Sequence, residues 1–161
     1  MALIRLADEL PKKIAQVDEL FYRLVLLAAG GTEVEAVDLG KTAGQLGLHC
    51  VNVSLEMSRR MLDFTSRKRA LRAAQILRDI TAGEDANGYL LENIELLFHP
   101  ELKQDPLGAL QQLSRSKLIV VLWPGKVERK YLVYARPDHP EYRHYPTREL
   151  VIINLEELTG N

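Results

Sequence analysis

Cysteine occurs once in these 161 residues, at Cys50, so no disulfide can close within the chain. Histidine is nearly as scarce, with 4 residues and no Cys/His cluster, which removes the usual zinc sites. No apolar run reaches the roughly 18–20 residues that cross a bilayer. The opening Met-Ala-Leu-Ile-Arg-Leu-Ala-Asp lacks the basic-then-apolar layout of a secretion signal, so a cytoplasmic protein with no membrane partner is expected. An excess of charge of either sign is missing too. With 21 basic against 22 acidic residues, net charge gives no bulk attraction to a polyanion. The sequence has no internal repeat, low-complexity tract or heptad series, and no Ser or Cys stands with a His in a nucleophile–base pattern.

What the chain does have is apolar residues, 47% of the total, enough at this length for one domain over residues 1–161 with a substantial core. Residues 11–20 place Ile14, Val17, and Leu20 with Phe21 on one stripe, an opening amphipathic helix within the segment 1–21. Residues 22–29 read as a strand and residues 32–46 as a helix that Gly47 stops. Residues 49–53 read as a short strand, with Cys50 as a small buried residue at its head. Two helices follow, over 54–64 and 68–80, the second with Leu71, Ala74, Leu77 and Ile80 facing inward. After a turn at 83–88, residues 89–94 form a buried strand. Asp105-Pro106 starts a helix carrying Leu107, Leu110 and Leu113, and residues 117–123 are the most apolar strand, expected at the centre of the sheet. Pro124-Gly125 breaks it. Further strands at 130–135 and 150–154 flank an aromatic, proline-rich loop at 136–146, within the C-terminal region 136–161. Strand and helix alternate, which predicts an α/β protein of three layers around a mostly parallel sheet. Ligands of such sheets bind outside the carboxyl ends of the strands, here Ala29-Gly30 and Leu91-Glu92.

Gly30-Gly31-Thr32-Glu33-Val34-Glu35-Ala36 stands where a phosphate loop would follow the first strand. Such a loop reads G-x-x-x-x-G-K-[ST], because glycines free the backbone N–H groups to curl round phosphate while the lysine and hydroxyl reach charge and Mg²⁺. Glu35 and Ala36 occupy the lysine and hydroxyl slots. Thr32-x-x-Glu35 is instead a capping box, in which each residue satisfies the other's backbone N–H. Glu33, Glu35 and Asp38 supply the helix start with negative charge, the role that phosphate plays in a working loop. A triphosphate would meet repulsion of about 1 kcal/mol per charge pair at 4 Å in water and about 4 at intermediate dielectric. No cofactor is expected, and Mg·ATP binds weakly at most. Gly40-Lys41-Thr42 is no rescue, since Lys41 falls six residues, about 9 Å, further along the helix than the loop requires.

The order strand, loop, helix, strand, helices, acidic strand resembles the RecA-like core of P-loop NTPases, with a degenerate phosphate loop. In those proteins the acidic strand holds an Asp for Mg²⁺ and often a Glu that orients water. Glu92 and Asn93 occupy these positions, and Asn93 has no basicity to activate water. Five further stretches, at 51–60, 90–98, 102–107, 111–115 and Trp123-Pro124-Gly125, with His139-Pro-Glu-Tyr-Arg143, resemble the small P-loop component, F, of type-3 BREX bacteriophage-defence systems. That resemblance covers about residues 20–146. It implies membership of an assembly with a DNA methyltransferase, an alkaline-phosphatase-like protein and a large ATPase. The family usually keeps Gly-Lys-Thr or Gly-Lys-Ser where this chain has Val34, Glu35 and Ala36, and an Asp where it has Glu92. The implied role as a defence subunit survives these departures and ATP hydrolysis does not. An active ATPase with an atypical loop stays open as the alternative, as does an independent DNA-binding module, and self-association is compatible with either.

Arg59, Arg60, Arg67, Lys68, Arg69, Arg72 and Arg78 put seven cations into twenty residues, with Lys68, Arg69 and Arg72 expected on one face. Such a patch suits a DNA backbone or an acidic partner protein, and a solvated surface is the ordinary account of it. Arg115 is expected to favour a helix C-terminus rather than to act as an intersubunit finger. Trp123 reads as packing, and His139 and His144 as loop residues without a third metal ligand.

Overall fold

A computed structural model describes residues 2–30, 36–83, 86–135 and 137–159. Its strands are β1 (Leu24–Ala28), β2 (Leu48–Asn52), β3 (Gly88–Glu92), β4 (Ile119–Trp123), β5 (Lys126–Glu128), β6 (Tyr131–Tyr134), β7 (Arg143–Pro146) and β8 (Val151–Asn154). The helices are α1 (Ala2–Val17), α2 (Ala36–Gln45), α3 (Val53–Arg60), α4 (Ser66–Asp79), α5 (Pro106–Leu113) and α6 (Leu155–Thr159), with 3₁₀ turns at Glu95–Phe98 and Pro100–Leu102. Five strands form one parallel sheet in the order β2-β3-β4-β1-β8, and β5-β6-β7 form a small antiparallel sheet. Parallel strands buried on both faces need continuous apolar runs, and Leu-Val-Leu-Leu-Ala in β1 and Ile-Val-Val-Leu-Trp in β4 supply them. Those two strands lie side by side in the interior of the sheet.

Alternation along the strands splits the core in two. Leu24, Leu26 and Ala28 of β1, with Ile119, Val121 and Trp123 of β4, face α3, α4, α5 and the small sheet. Val25, Leu27 and Val120 face α1, α2 and α6, meeting Leu6, Leu10, Leu39, Ala43 and Leu155. The architecture is therefore α/β, a five-stranded parallel sheet with helices on both faces plus the small antiparallel sheet. No helix among the described residues is long and apolar enough to cross a membrane.

Several local expectations need correction. The first helix starts at Ala2, well before residue 11, and Pro11 lies inside it. An interior proline costs about 3 kcal/mol. Burying Leu6 and Leu10 completely gives back about 1.5–3 kcal/mol each, and both are sealed in the core. The inward face of α4 is Ala73, Ile76 and Leu77, while Leu71 is 72% exposed and Ala74 is also exposed. Leu71, Ala74 and Leu77 repeat every three residues, which drifts around a helix of 3.6 residues per turn. Cys50 is exposed, because β2 is an edge strand with no neighbour on one side among the described residues. The strand expected at 130–135 is present as β6 and lies in the antiparallel sheet, whereas the segment 136–146, expected as a loop, contains β7. Alternating exposure in β7, a strand only four residues long, hides it among prolines.

Trp123 fastens the small sheet to the large one. Its ring is fully buried edge-on to Phe98, 5.3 Å between centroids, and to Tyr145, 6.0 Å. Its Nε1–H donates to the Val133 carbonyl at 3.1 Å. Phe98 in turn stacks on Tyr134 at 3.7 Å. The expectation that Trp123 packs in the core agrees with this.

Candidate functional site

α2, the next helix after β1, packs on one face of the sheet, and the segment after β4 runs into the small sheet on the opposite face. Adjacent strands whose connections part in this way open a crevice at their carboxyl ends. Two hydrogen bonds close the crevice floor, Ala29 N–H to the Trp123 carbonyl at 3.2 Å and Gly30 N–H to the Gly125 carbonyl at 2.7 Å. Gly30 has φ +62°, a left-handed conformation that favours glycine. A Cβ there would collide with the Glu156 carboxylate, which packs directly against Gly30. Glu156 is delivered by the turn from β8 into α6, where the Asn154 Oδ1 accepts its N–H at 3.2 Å. Gly31, Thr32 and Glu35 of the candidate phosphate loop lie outside the described residues; Ala36 begins α2, and Lys41 is exposed midway along it.

β4 separates β1 from β3, so the ends of β1 and β3 stand two strand spacings apart, about 10 Å. Glu92 ends β3, half-buried, on the same face of the sheet as Leu90 and therefore on the α2 side. Asn93 has φ 52°, and its carbonyl accepts from the Ser54 N–H at 2.9 Å and the Ser54 hydroxyl at 2.5 Å. The Ser54 Oγ also accepts the Leu96 N–H at 3.1 Å, and the Asn52 Oδ1 caps α3 through the Leu55 N–H at 3.1 Å. Asn93 thus ties the start of α3 to the end of β3 through its backbone, a holding task rather than an acid–base one. The crevice brings the Glu156 carboxylate to Gly30 and sets Glu92 two strands away. Sequence reasoning missed Glu156, although a parallel β8 would carry any residue just beyond Asn154 to this rim.

Cys50 and Glu92 lie on adjacent strands and the same face, by the pairing of Cys50 with Leu90 and of Asn52 with Glu92. Partial shielding of the sulfur raises the Cys50 thiol above its ordinary pKa, and the Glu92 carboxylate raises it further. A raised pKa means less thiolate at pH 8 and slower alkylation. Glu92→Gln is therefore expected to speed iodoacetamide labelling of Cys50 at pH 8 by roughly threefold. Mass spectrometry of a labelling time course checks this, and an unchanged rate contradicts it.

The seven cations are not equivalent. Arg59 and Arg60 share Glu56, at 3.1 and 3.0 Å. Lys68 sits over the Phe64 ring at 4.2 Å, and the Arg69 Nε donates to the Phe64 carbonyl at 3.1 Å. Arg69, one turn before buried Ala73, is half-buried at the core margin and does not share the exposed face of Lys68 and Arg72. Arg78 donates to the Gln75 Oε1 at 2.7 Å. Arg67 and Arg72 are exposed and have no side-chain partner among the described residues. Elsewhere, Arg115 just beyond α5 lies over the Phe21 ring at 4.7 Å. His144 sits between Tyr131 and Tyr142, and the His139 Nδ1 accepts the Glu141 N–H. Among the described residues no three His, Cys, Asp or Glu side chains gather as a metal site.

No protein-family model and no curated protein matches this chain.

Proposed function

We propose that the chain is a subunit of a bacterial antiphage assembly of the type-3 BREX kind, built on a RecA-like P-loop fold that no longer serves nucleotide and acting through protein contacts. The observation that carries the loss of nucleotide is the Glu156 carboxylate packed on Gly30, negative charge at the crevice where a phosphate would have to approach. The substitutions at Glu35 and Ala36 point the same way. The fold reading is supported by the parallel order, with β4 set between the glycine-ended β1 and the acidic-ended β3. The family reading is supported by where its motif residues stand. Asn52, Ser54 and Asn93 lock one part of the rim, and Trp123 and Gly125 lock another.

Calorimetry with Mg·ATP is expected to give a Kd weaker than about 1 mM, and micromolar binding would establish the active-ATPase alternative. Co-purification with the methyltransferase, the phosphatase-like protein and the large ATPase of such a system should proceed equally with and without nucleotide. A second reading, DNA contact through α4, is favoured by Arg67 and Arg72, which are exposed and have no side-chain partner among the described residues. It requires duplex binding with a steep salt slope that charge reversal at both residues abolishes.

A further inference from the structure

Leu71 points away from the core side of α4 and is 72% exposed, with Arg67 one turn before it and Ala74 and Gln75 one turn after. A lone exposed leucine needs no account. This one continues through Ala74 into a groove of about 470 Å³ between α4 and α5, where Leu77, Gly108, Ala109 and Leu113 add further apolar surface. The small residues Ala74, Gly108 and Ala109 leave room for larger side chains from outside. Arg78 and Lys117 stand on the groove lining, and Arg67 lies one turn before Leu71. The nearby carboxylates, Asp105 and Asp79, accept from the Tyr145 hydroxyl at 2.5 Å and from Gln75 at 2.7 Å and keep their charge, and the cations Arg67, Arg78 and Lys117 outnumber them. The surface thus has an apolar floor and more positive than negative charge at its margin, with Arg78 donating to the Gln75 side chain and the Lys117 Nζ to the Thr81 carbonyl.

We propose that the α4/α5 groove with Leu71 docks an acidic amphipathic helix of a partner protein, aliphatic side chains entering over Ala74 and Ala109 and carboxylates meeting Arg67 and Arg78. Helix-in-groove recognition uses this combination of an apolar seat and flanking charge. Duplex DNA would satisfy the cations and gain nothing from the apolar floor. α4 has 14 residues, about 21 Å, which offers a partner helix three to four turns of contact. This contact face rests on the assembly-subunit reading above.

The probe is a fluorescent synthetic peptide of about 16 residues, long enough for helix when stapled, with leucines at i, i+4, i+7 and i+11 and glutamate elsewhere. Fluorescence anisotropy is expected to show binding that Leu71→Glu and Ala109→Arg each weaken by at least about tenfold, with circular dichroism showing both variants folded. Equal binding by the folded variants, or no binding by the parent, overturns the proposal. A labelled duplex that binds where the peptide does not reassigns the face to DNA. Sedimentation showing a parent dimer that Leu71→Glu dissociates reassigns it to a second copy. Co-purification separates the two readings. If the folded variants still capture the defence proteins, the groove proposal falls and the subunit reading stands. If the parent captures none but the peptide binding discriminates, the subunit reading falls and the groove stands.

Discussion

Trp123→Ala is expected to cost about 3–5 kcal/mol and to lower Tm by roughly 6–20 °C at this chain length. The indole is fully buried, touches Phe98 and Tyr145 edge-on, and gives its N–H to the Val133 carbonyl. Truncation opens a cavity on one face of the large sheet and removes the bond that ties β6 to it. Trp123→Phe keeps a ring and loses the N–H, so its cost should be clearly smaller. Thermal and urea unfolding followed by circular dichroism measures both. A loss below about 1 kcal/mol for the alanine variant would mean that Trp123 does not hold the two sheets together.

Gly125→Ala should cost about 2–4 kcal/mol, through overpacking and the strain on a buried hydrogen bond. The added Cβ would overlap the Val133 carbonyl oxygen and lie 2.8 Å from the Trp123 Nε1. The obstacle is backbone, so relief comes only by shifting β6 or Gly125 itself. Moving β6 strains the Trp123–Val133 bond, and moving Gly125 pulls on the bond from the Gly30 N–H. Denaturant unfolding reads the cost, and amide hydrogen exchange at Gly30 reads its route. Faster exchange at Gly30 means that Gly125 moved, and exchange unchanged at Gly30 but faster around Val133 means that β6 did. A variant as stable as the parent contradicts the contact.

The parts of the fold legible beforehand are those where local pattern and burial agree. β4 announces itself because a strand buried on both faces admits almost nothing polar, and Ile119 to Trp123 are all apolar. α5 is legible because Pro106 follows its cap position and a helix of only eight residues carries Leu107, Leu110 and Leu113, all of them buried. The Asp105 carboxylate makes no capping bond; it takes the Tyr145 hydroxyl instead, and with burial as the larger cause this pushes the Tyr145 phenol up. Tertiary contact there overrode a local signal. Cys50 reads as buried in the sequence and is exposed in the fold, because a sequence window carries no information about which strand lies at an edge. In the sequence Pro11 reads as a helix start because the cost of a proline is local and visible, whereas the burial of Leu6 and Leu10 that offsets it is not. Of the candidate site, Gly30 and Glu92 are legible at the ends of their strands. Glu156 is not, because its place beside Gly30 depends on β8 joining the sheet next to β1.

That neighbourhood has a consequence for how the chain is made. Val25 must wait for Val120 on one side and Val151 on the other, whereas β2 and β3 pair with much less chain between them. On the ribosome β1 emerges before both of its partners and stays unsatisfied along one edge until β4 follows and along the other until β8 does. High sequence separation of this kind slows folding and prolongs the time a sticky strand spends uncovered. Yield in the cell should therefore depend on whatever shelters that nascent segment.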